Sequence, residues 1–286
     1  MDTSIIIVSY NAAMLLRNCI RSIHENASDS KSEIIVIDNH SADESPDMIH
    51  REFPDIKLLK NPENFGFSRA CNQGFRISGG EFLLFLNSDT VVRNGAIQKM
   101  TDYMRVNPDV GVLGPKILNS VLQPTRSYMR FLDLGKLFLG SKHLRFFLDV
   151  EKYRIHYANY DYITTRTVQW VSGACLMIRR DLFSELGMFD ENYFFYFEDM
   201  DLCHKAGRAG FKVVYFPEAE IIHLFGGSTS SNSAMNEKYY RQSLLYYLRK
   251  NTNFFSYQLA KSYFHLRDLY WGILARMHQS SNRELR

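Results

Sequence analysis

Three carboxylates, Glu198, Asp199 and Asp201, stand directly behind an aromatic run in "FFYFEDMDLC" (194–203), where a charge loses part of its hydration. A carboxylate so placed is a candidate general base, able to take the proton of an attacking hydroxyl. The stretch also reads as a strand running into a helix whose first turn carries acids because the macrodipole favours them there. On a helix over 198–209, Asp199 heads an inward stripe with Leu202, Cys203 and Ala206, while Asp201 falls on another face and pairs with Lys205 four residues on. Partial burial would raise the pKa of Asp199 and the helix N-terminus would lower it, so the residue types alone give no value.

A second carboxylate closes "LLFLNSDT", an apolar run ending in Asn87, Ser88 and Asp89. Asp89 is either a turn residue or a ligand of a hard divalent cation, which one or two carboxylates hold together with substrate phosphates. His223, at the end of "AEIIH", is a second candidate ligand and equally a structural histidine. The "GGSTS" that follows (226–230) suits a phosphate-covering loop or a plain turn.

The elements that must position these groups alternate. Apolar runs at 4–8, 33–38, 56–61 and 81–89 read as strands, and 12–25, 43–53 and 68–78 read as the helices between them. Continuous apolar strands separated by helices predict an α/β fold with a mainly parallel sheet covered on both faces. Ligands then bind beyond the carboxyl ends of the strands. Those ends carry Ser9, Tyr10 and Asn11; Asp38, Asn39 and Ser41; the "NPENFGFS" of 61–68; and Asn87, Ser88 and Asp89. Each is an ordinary turn or cap, but four together point to one binding edge.

Beyond residue 118 the regularity breaks. Residues 119–166, with Arg126, Tyr128, Arg130, Lys142, Arg145, Tyr153 and Arg154, read as an inserted acceptor or partner surface or as an irregular subdomain. "TVQWVSGACLMIRRDLF" (167–183) reads as a strand entering a helix, and "FKVVYFPEAEIIH" (211–223) as two strands joined by a turn. From Glu237 the chain reads as helix, its aromatic and Leu residues interleaved with Arg241, Arg249, Lys250, Lys261, Arg267 and Arg276. That pattern suits peripheral contact with an anionic bilayer, and equally packing on the catalytic domain or on another subunit in a homodimer.

The chain of 286 residues is 45% hydrophobic, enough for one large or two small cores. Lys and Arg exceed Asp and Glu by only 34 to 31, which gives no reason to expect a nucleic-acid partner. Cys19, Cys71, Cys175 and Cys203 are scattered, which predicts four buried thiols in a reducing, cytoplasmic setting rather than a zinc ribbon or disulfide frame. The N-terminal stretch lacks the pattern of a signal peptide, and no run of 18 apolar residues predicts a spanning helix.

"SIIIVSYN", "VIDNHSAD", "NFGFSRACNQG", "LLFLNSDT", "WVSGACLMIRRDLF" and "GMFDENYFFYFEDMDLCHKAGRAGF", in this order and followed by His223, resemble family 2 glycosyltransferases of the GT-A fold, most of all the bacterial rhamnosyltransferase branch. The resemblance runs from about Ser4 to Ser228. It implies a nucleotide-sugar-binding half over 1–118, an acceptor half with the catalytic base over 119–236, and a helical extension over 237–286.

It also implies roles. Tyr10 and its neighbours Ser9 and Asn11 would pack against a pyrimidine, Asp38 would accept from the base N3–H, and Asn39 and Ser41 would line the same pocket. Asn64, Arg69 and Asn72, with Gly66 and Phe67, would lie near ribose and diphosphate. Asn87, Ser88 and Asp89 correspond to the metal-binding DxD motif, with Asn87 in place of its first aspartate, and Asp89 with His223 would hold Mg2+ or Mn2+. Asp199 takes the base position beside Glu198, and Trp170, Ser172 and Gly173 would border the acceptor pocket. The expected reaction is inverting transfer of a sugar, L-rhamnose from dTDP-L-rhamnose, onto a saccharide or lipid-linked acceptor of a bacterial surface polysaccharide. A UDP-hexose donor, or a non-catalytic nucleotide-sugar-binding module, are the alternatives.

Overall fold

The computed structural model describes residues 2–26, 31–131, 161–224 and 233–284, with 233–234 and 270–284 described by backbone alone. The elements are β1 (Thr3–Ser9), α1 (Ala13–Asn26), β2 (Ser32–Asp38), α2 (Ser45–Glu52), β3 (Lys57–Lys60), α3 (Phe67–Ile77), β4 (Phe82–Asn87), β5 (Thr90–Arg93), α4 (Ala96–Val106) and β6 (Val110–Leu118). They continue with β7 (Tyr128–Met129), β8 (Arg166–Val168), β9 (Trp170–Val171), β10 (Cys175–Arg179), α5 (Arg180–Glu185), α6 (Glu198–Arg208), β11 (Lys212–His223), α7 (Ser233–Asn251) and α8 (Phe254–Glu284).

Nine strands form a sheet ordered β3-β2-β1-β4-β10-β6-β11-β5, with β8 also on β11. The run from β3 to β4 is parallel, β10 is antiparallel to both of its neighbours, and β6 and β11 are again parallel. Because side chains alternate across a strand, the apolar runs feed two cores. Ile5, Ile7, Leu84 and Leu86 pack on one face with Leu16 and Ile20 of α1, Met48 of α2 and Met100 of α4. Ile6, Leu83 and Phe85 pack on the other with Ala70 and Cys71 of α3, Leu182 of α5 and Leu202 and Cys203 of α6. All four thiols are free and buried, and burial pushes their pKa values up, that of Cys19 to about 12.

Two segments differ from expectation. Lys212–His223 form one long strand, not two with a turn: around Pro217, which lacks a ladder N–H, the pairing of β11 with β6 shifts register between Phe216 and Glu220 and then resumes. Residues 167–183 hold parts of three strands before α5, because the chain turns at Ser172, Gly173 and Ala174, where the Ser172 N–H meets the Ser127 carbonyl and the Ala174 carbonyl accepts from Asn87. Lys142, Arg145, Tyr153, Arg154 and the 226–230 loop lie outside the described residues.

Backbone contacts divide the chain into two units, Met1–Phe131 with Asn159–Ser243, and Leu132–Ala158 with Leu244–Arg286. The first holds the sheet and the start of α7. In the second, Asn253 caps α8 by accepting from the Ser256 N–H at 2.9 Å. Among the described residues no helix is long and apolar enough to cross a membrane.

Candidate functional site

The carboxyl ends of β1 to β4 bring their polar loops into one hydrogen-bonded edge. The Asn11 N–H donates to Ser41 Oγ at 2.9 Å, and Asn11 Oδ1 accepts from the Ala42 N–H at 2.7 Å, so the loops after β1 and β2 lock together. Tyr10 stays 40% exposed at the end of β1, and Asp38 at the end of β2 is buried. Asp38 Oδ2 accepts from the Ser41 N–H at 3.1 Å, whereas its Oδ1 and the hydroxyl of Ser9 are buried without a hydrogen-bond partner. An unmatched buried carboxylate oxygen is costly unless a ligand donor completes it.

Asn39 ties β2 to the next loop. Its Nδ2 donates to the Gly66 carbonyl at 3.0 Å and its Oδ1 accepts from Asn61 at 2.9 Å, so its amide is structural. Asn64 Oδ1 accepts from the Gly66 N–H at 2.9 Å. Gly66 is required twice over: its φ is +79°, and a Cβ would lie 2.5 Å from the Phe194 carbonyl oxygen. Phe67 and Asn72 are spent inside the protein. The Phe67 ring packs against Phe189 and Phe195, and the Asn72 amide exchanges hydrogen bonds with the Phe189 backbone and donates to Glu191. The Arg69 guanidinium lies 3.8 Å over the Phe65 ring and 4.0 Å from Glu191, half exposed at the loop.

At the end of β4 the cation candidates meet. Asp89 Oδ1 stands 3.0 Å from His223 Nε2, both largely buried, and Asn87 Nδ2 is 3.4 Å from the same ring nitrogen. The β5–β11 pairing imposes this contact by setting His223 opposite Thr90, and the Leu224 N–H donates to the Asp89 carbonyl at 3.0 Å. Ser88 beside them is buried. Among the described residues no group of three or more His, Cys, Asp and Glu converges. One carboxylate, one imidazole and an adjacent amide still fit a hard cation that takes its other oxygens from phosphate and water.

Asp199 sits on the same edge. Its Oδ2 accepts from the Gly173 N–H at 2.7 Å and its Oδ1 from the Met200 N–H at 2.7 Å. The next residue after Gly173 accepts from Asn87, so the turn holding Asp199 is bonded to the strand end that delivers Asp89. Burial raises the Asp199 pKa, opposed by the Gly173 amide, by the Trp170 side chain and by the Met200 amide. Desolvation therefore outweighs the helix N-terminus. Glu198 is buried, with Oε2 unbonded, and burial together with the Asp199 charge pushes its pKa well above the carboxylate range. Burial thus disfavours the charged form of both acids, and the amides that donate to Asp199 favour the charge there over Glu198. Trp170 and Ser172 flank it, and the Trp170 Nε1 donor is buried short of full hydrogen-bond geometry with any acceptor.

Asp201 pairs with Lys205 as expected and is buried as well. It is 1% exposed, 3.6 Å from Lys205 and also 3.4 Å from the Tyr193 hydroxyl, because the 188–193 segment folds over that side of α6. Just before α6, Tyr196 and Phe197 have φ of +71° and +70°, left-handed conformations that cost roughly 1–3 kcal/mol each in a residue with a Cβ. No residue-type signal announces that strain.

The family model described as "Glycosyl transferase family 2" matches residues 4–187. A Mycobacterium tuberculosis protein named N-acetylglucosaminyl-diphospho-decaprenol L-rhamnosyltransferase is 28% identical over 85% of this chain and 83% of its own length. The dTDP-rhamnosyl transferase RfbF of Shigella flexneri is 24% identical over 86% and 79%. Among solved structures, GalNAc-T7 with UDP, GalNAc and Mn2+ superposes with a TM-score of 0.62 at 15% identity, over 86% of this chain and 47% of that one. The Pyrobaculum calidifontis mannosyltransferase PcManGT with GDP-Man and Mn2+ gives 0.60 at 18% identity, over 92% and 70%. Both likenesses are of fold.

Proposed function

Because this chain belongs to glycosyl transferase family 2, we propose that its polar edge binds a nucleoside-diphosphate sugar and that Asp199 activates an acceptor hydroxyl to displace the diphosphate with inversion. The observation that supports this reading is the short bonded path from Asp89 through Asn87 and Ala174 to Gly173 and Asp199, which suits a diphosphate end and a base end sharing one edge.

Asp199 takes the proton of the acceptor O–H as that oxygen bonds to the anomeric carbon and the bond from that carbon to the diphosphate oxygen breaks. The Gly173 and Met200 amides fix the carboxylate by both oxygens, and burial disfavours a competing charge on Glu198 behind it. The unmatched Asp38 Oδ1 suits the N3–H of uracil or thymine, with Tyr10 able to cover the ring. Asp89 and His223 would hold Mg2+ or Mn2+, which when bound offsets the charge gathering on the departing diphosphate.

The names of the Mycobacterium and Shigella relatives favour dTDP-L-rhamnose as donor and a lipid-linked or saccharide acceptor, over the same chemistry with a UDP-hexose. The test is to incubate the purified chain with dTDP-L-rhamnose, UDP-hexoses and GDP-mannose, with Mg2+ or Mn2+, and to read nucleoside diphosphate release with and without lipid-diphosphate acceptors. Acceptor-dependent dTDP release is expected. Nucleotide binding without release under every combination would instead mark a binding module.

A further inference from the structure

The sharp turn at Tyr196 and Phe197 delivers Asp199, and contacts from elements distant in sequence add to the local ones, among them the Asp201 N–H on the Phe197 carbonyl at 2.9 Å. Phe197 caps α6 without a side-chain hydrogen bond, both residues are left-handed, and the two acids that follow are desolvated. A strained segment persists only where its surroundings determine it. Two elements distant in sequence do so. On one side the Phe67 N–H at the start of α3 donates to the Phe194 carbonyl at 2.8 Å, with Gly66 packed beneath it. On the other side lie the first turns of α7, within the same compact unit. The Ser243 hydroxyl donates to the Phe195 carbonyl at 2.8 Å, Tyr239 stacks on Phe194 with ring centres 4.4 Å apart, and Tyr240 meets Tyr196 at 5.6 Å and Phe197 at 5.2 Å.

We propose that Tyr239, Tyr240 and Ser243 of α7 are positioning residues, which hold the Tyr196-Phe197 turn and thereby set Asp199 against the Gly173 amide. The spacing makes this direct. With the Phe195 carbonyl fixed by Ser243, only the left-handed pair and Glu198 separate a clamped peptide from the base. Tyr240 touches both rings of that pair, so removing its ring frees the turn to relax to right-handed backbone, which would swing the first turn of α6 and pull Asp199 Oδ2 from Gly173. The inference rests on Asp199 being the base of the proposed reaction, but the placement of Asp199 is measurable without turnover.

The Gly173 and Met200 amides both donate to Asp199, so their hydrogen exchange reports its position. In Tyr240→Ala those two amides should exchange at least about tenfold faster while amides of β1 and β2 keep their rates, and kcat should fall by about tenfold with donor KM within about twofold. Tyr240→Phe, which keeps the ring, should restore both readings. Ser243→Ala, which removes one hydrogen bond and leaves the packing, should move them the same way by a smaller factor. Unchanged exchange at Gly173 and Met200 or equal acceleration across β1 and β2 would overturn the proposal. Absence of transfer by the parent chain with every donor would instead sink the proposed reaction, and exchange would still decide the positioning role.

Discussion

Gly173→Ala tests the base's setting without touching its charge. Gly173 does not have the positive φ that would strain alanine, so the backbone accepts the change. The new methyl, however, would lie 3.0 Å from Asp199 Cβ and 3.1 Å from its Oδ2, where ordinary contact begins at 3.4 Å. Asp199 must therefore retreat by about 0.4 Å, and if a misplacement of ~1 Å costs ~10²-fold, kcat should fall about five- to tenfold. The 2.7 Å bond from the Gly173 N–H to Oδ2 should lengthen with it, removing one of the contacts that hold the Asp199 pKa down. The assay is acceptor-dependent nucleoside diphosphate release, with kcat and donor KM measured separately. A donor KM that rises while kcat holds, or no change in either, would refute the claim that Gly173 seats the catalytic carboxylate.

Further outcomes follow from the same geometry. Glu198 keeps its proton in the native state where the unfolded chain has lost it, so above its ordinary value of 4.5 the native state binds more protons and stability falls as pH rises toward the native pKa. Glu198→Gln removes that dependence: the urea midpoint of the variant relative to the parent should improve from pH 4 to pH 8, and a constant difference would contradict a proton held by Glu198. His223→Ala leaves Asp89 as the remaining ligand of the contact pair and should raise the Mg2+ or Mn2+ concentration for half-maximal release by about tenfold with little loss at saturating metal, whereas an unchanged metal requirement would remove His223 from the site. At the start of α8, Phe254 and Phe255 are 68% and 81% exposed close to Arg249 and Lys250. If they rest on an anionic bilayer, replacing both by Ser should weaken sedimentation with phosphatidylglycerol vesicles by about tenfold or more, and equal sedimentation would reject that contact.

The parallel half of the sheet was readable because its strands are buried on both faces and so run as unbroken apolar stretches, "SIIIV", "EIIVID" and "FLLFL", between amphipathic helices. The polar edge was readable for the same reason: when strand ends are clear, the loops that must share an edge are clear. β5 and α4 drew no attention because a four-residue strand directly after the Asp89 turn is too short to stand out, although Ile97, Met100 and Met104 carry helical spacing. β11 reads as two strands with a turn, since a sequence pattern cannot distinguish a register shift from a turn. The burial of Asp201 depends on the 188–193 segment folding over α6, a contact across separate elements with no local signature. Likewise, the resemblance assigns Asn39, Phe67 and Asn72 to binding, and their partners within the fold, which tie the binding edge together, carry no local signature.

The most direct test is Asp199→Asn assayed beside the parent with the donor that the parent uses. Asparagine keeps the shape and one acceptor oxygen for the Gly173 or Met200 amide but is not a base, so acceptor-dependent turnover should drop by about 10²–10⁴-fold while nucleoside diphosphate still binds with the parent's affinity. Turnover by Asp199→Asn within a few-fold of the parent would show that the proton leaves by another route and that this edge is not assembled around Asp199.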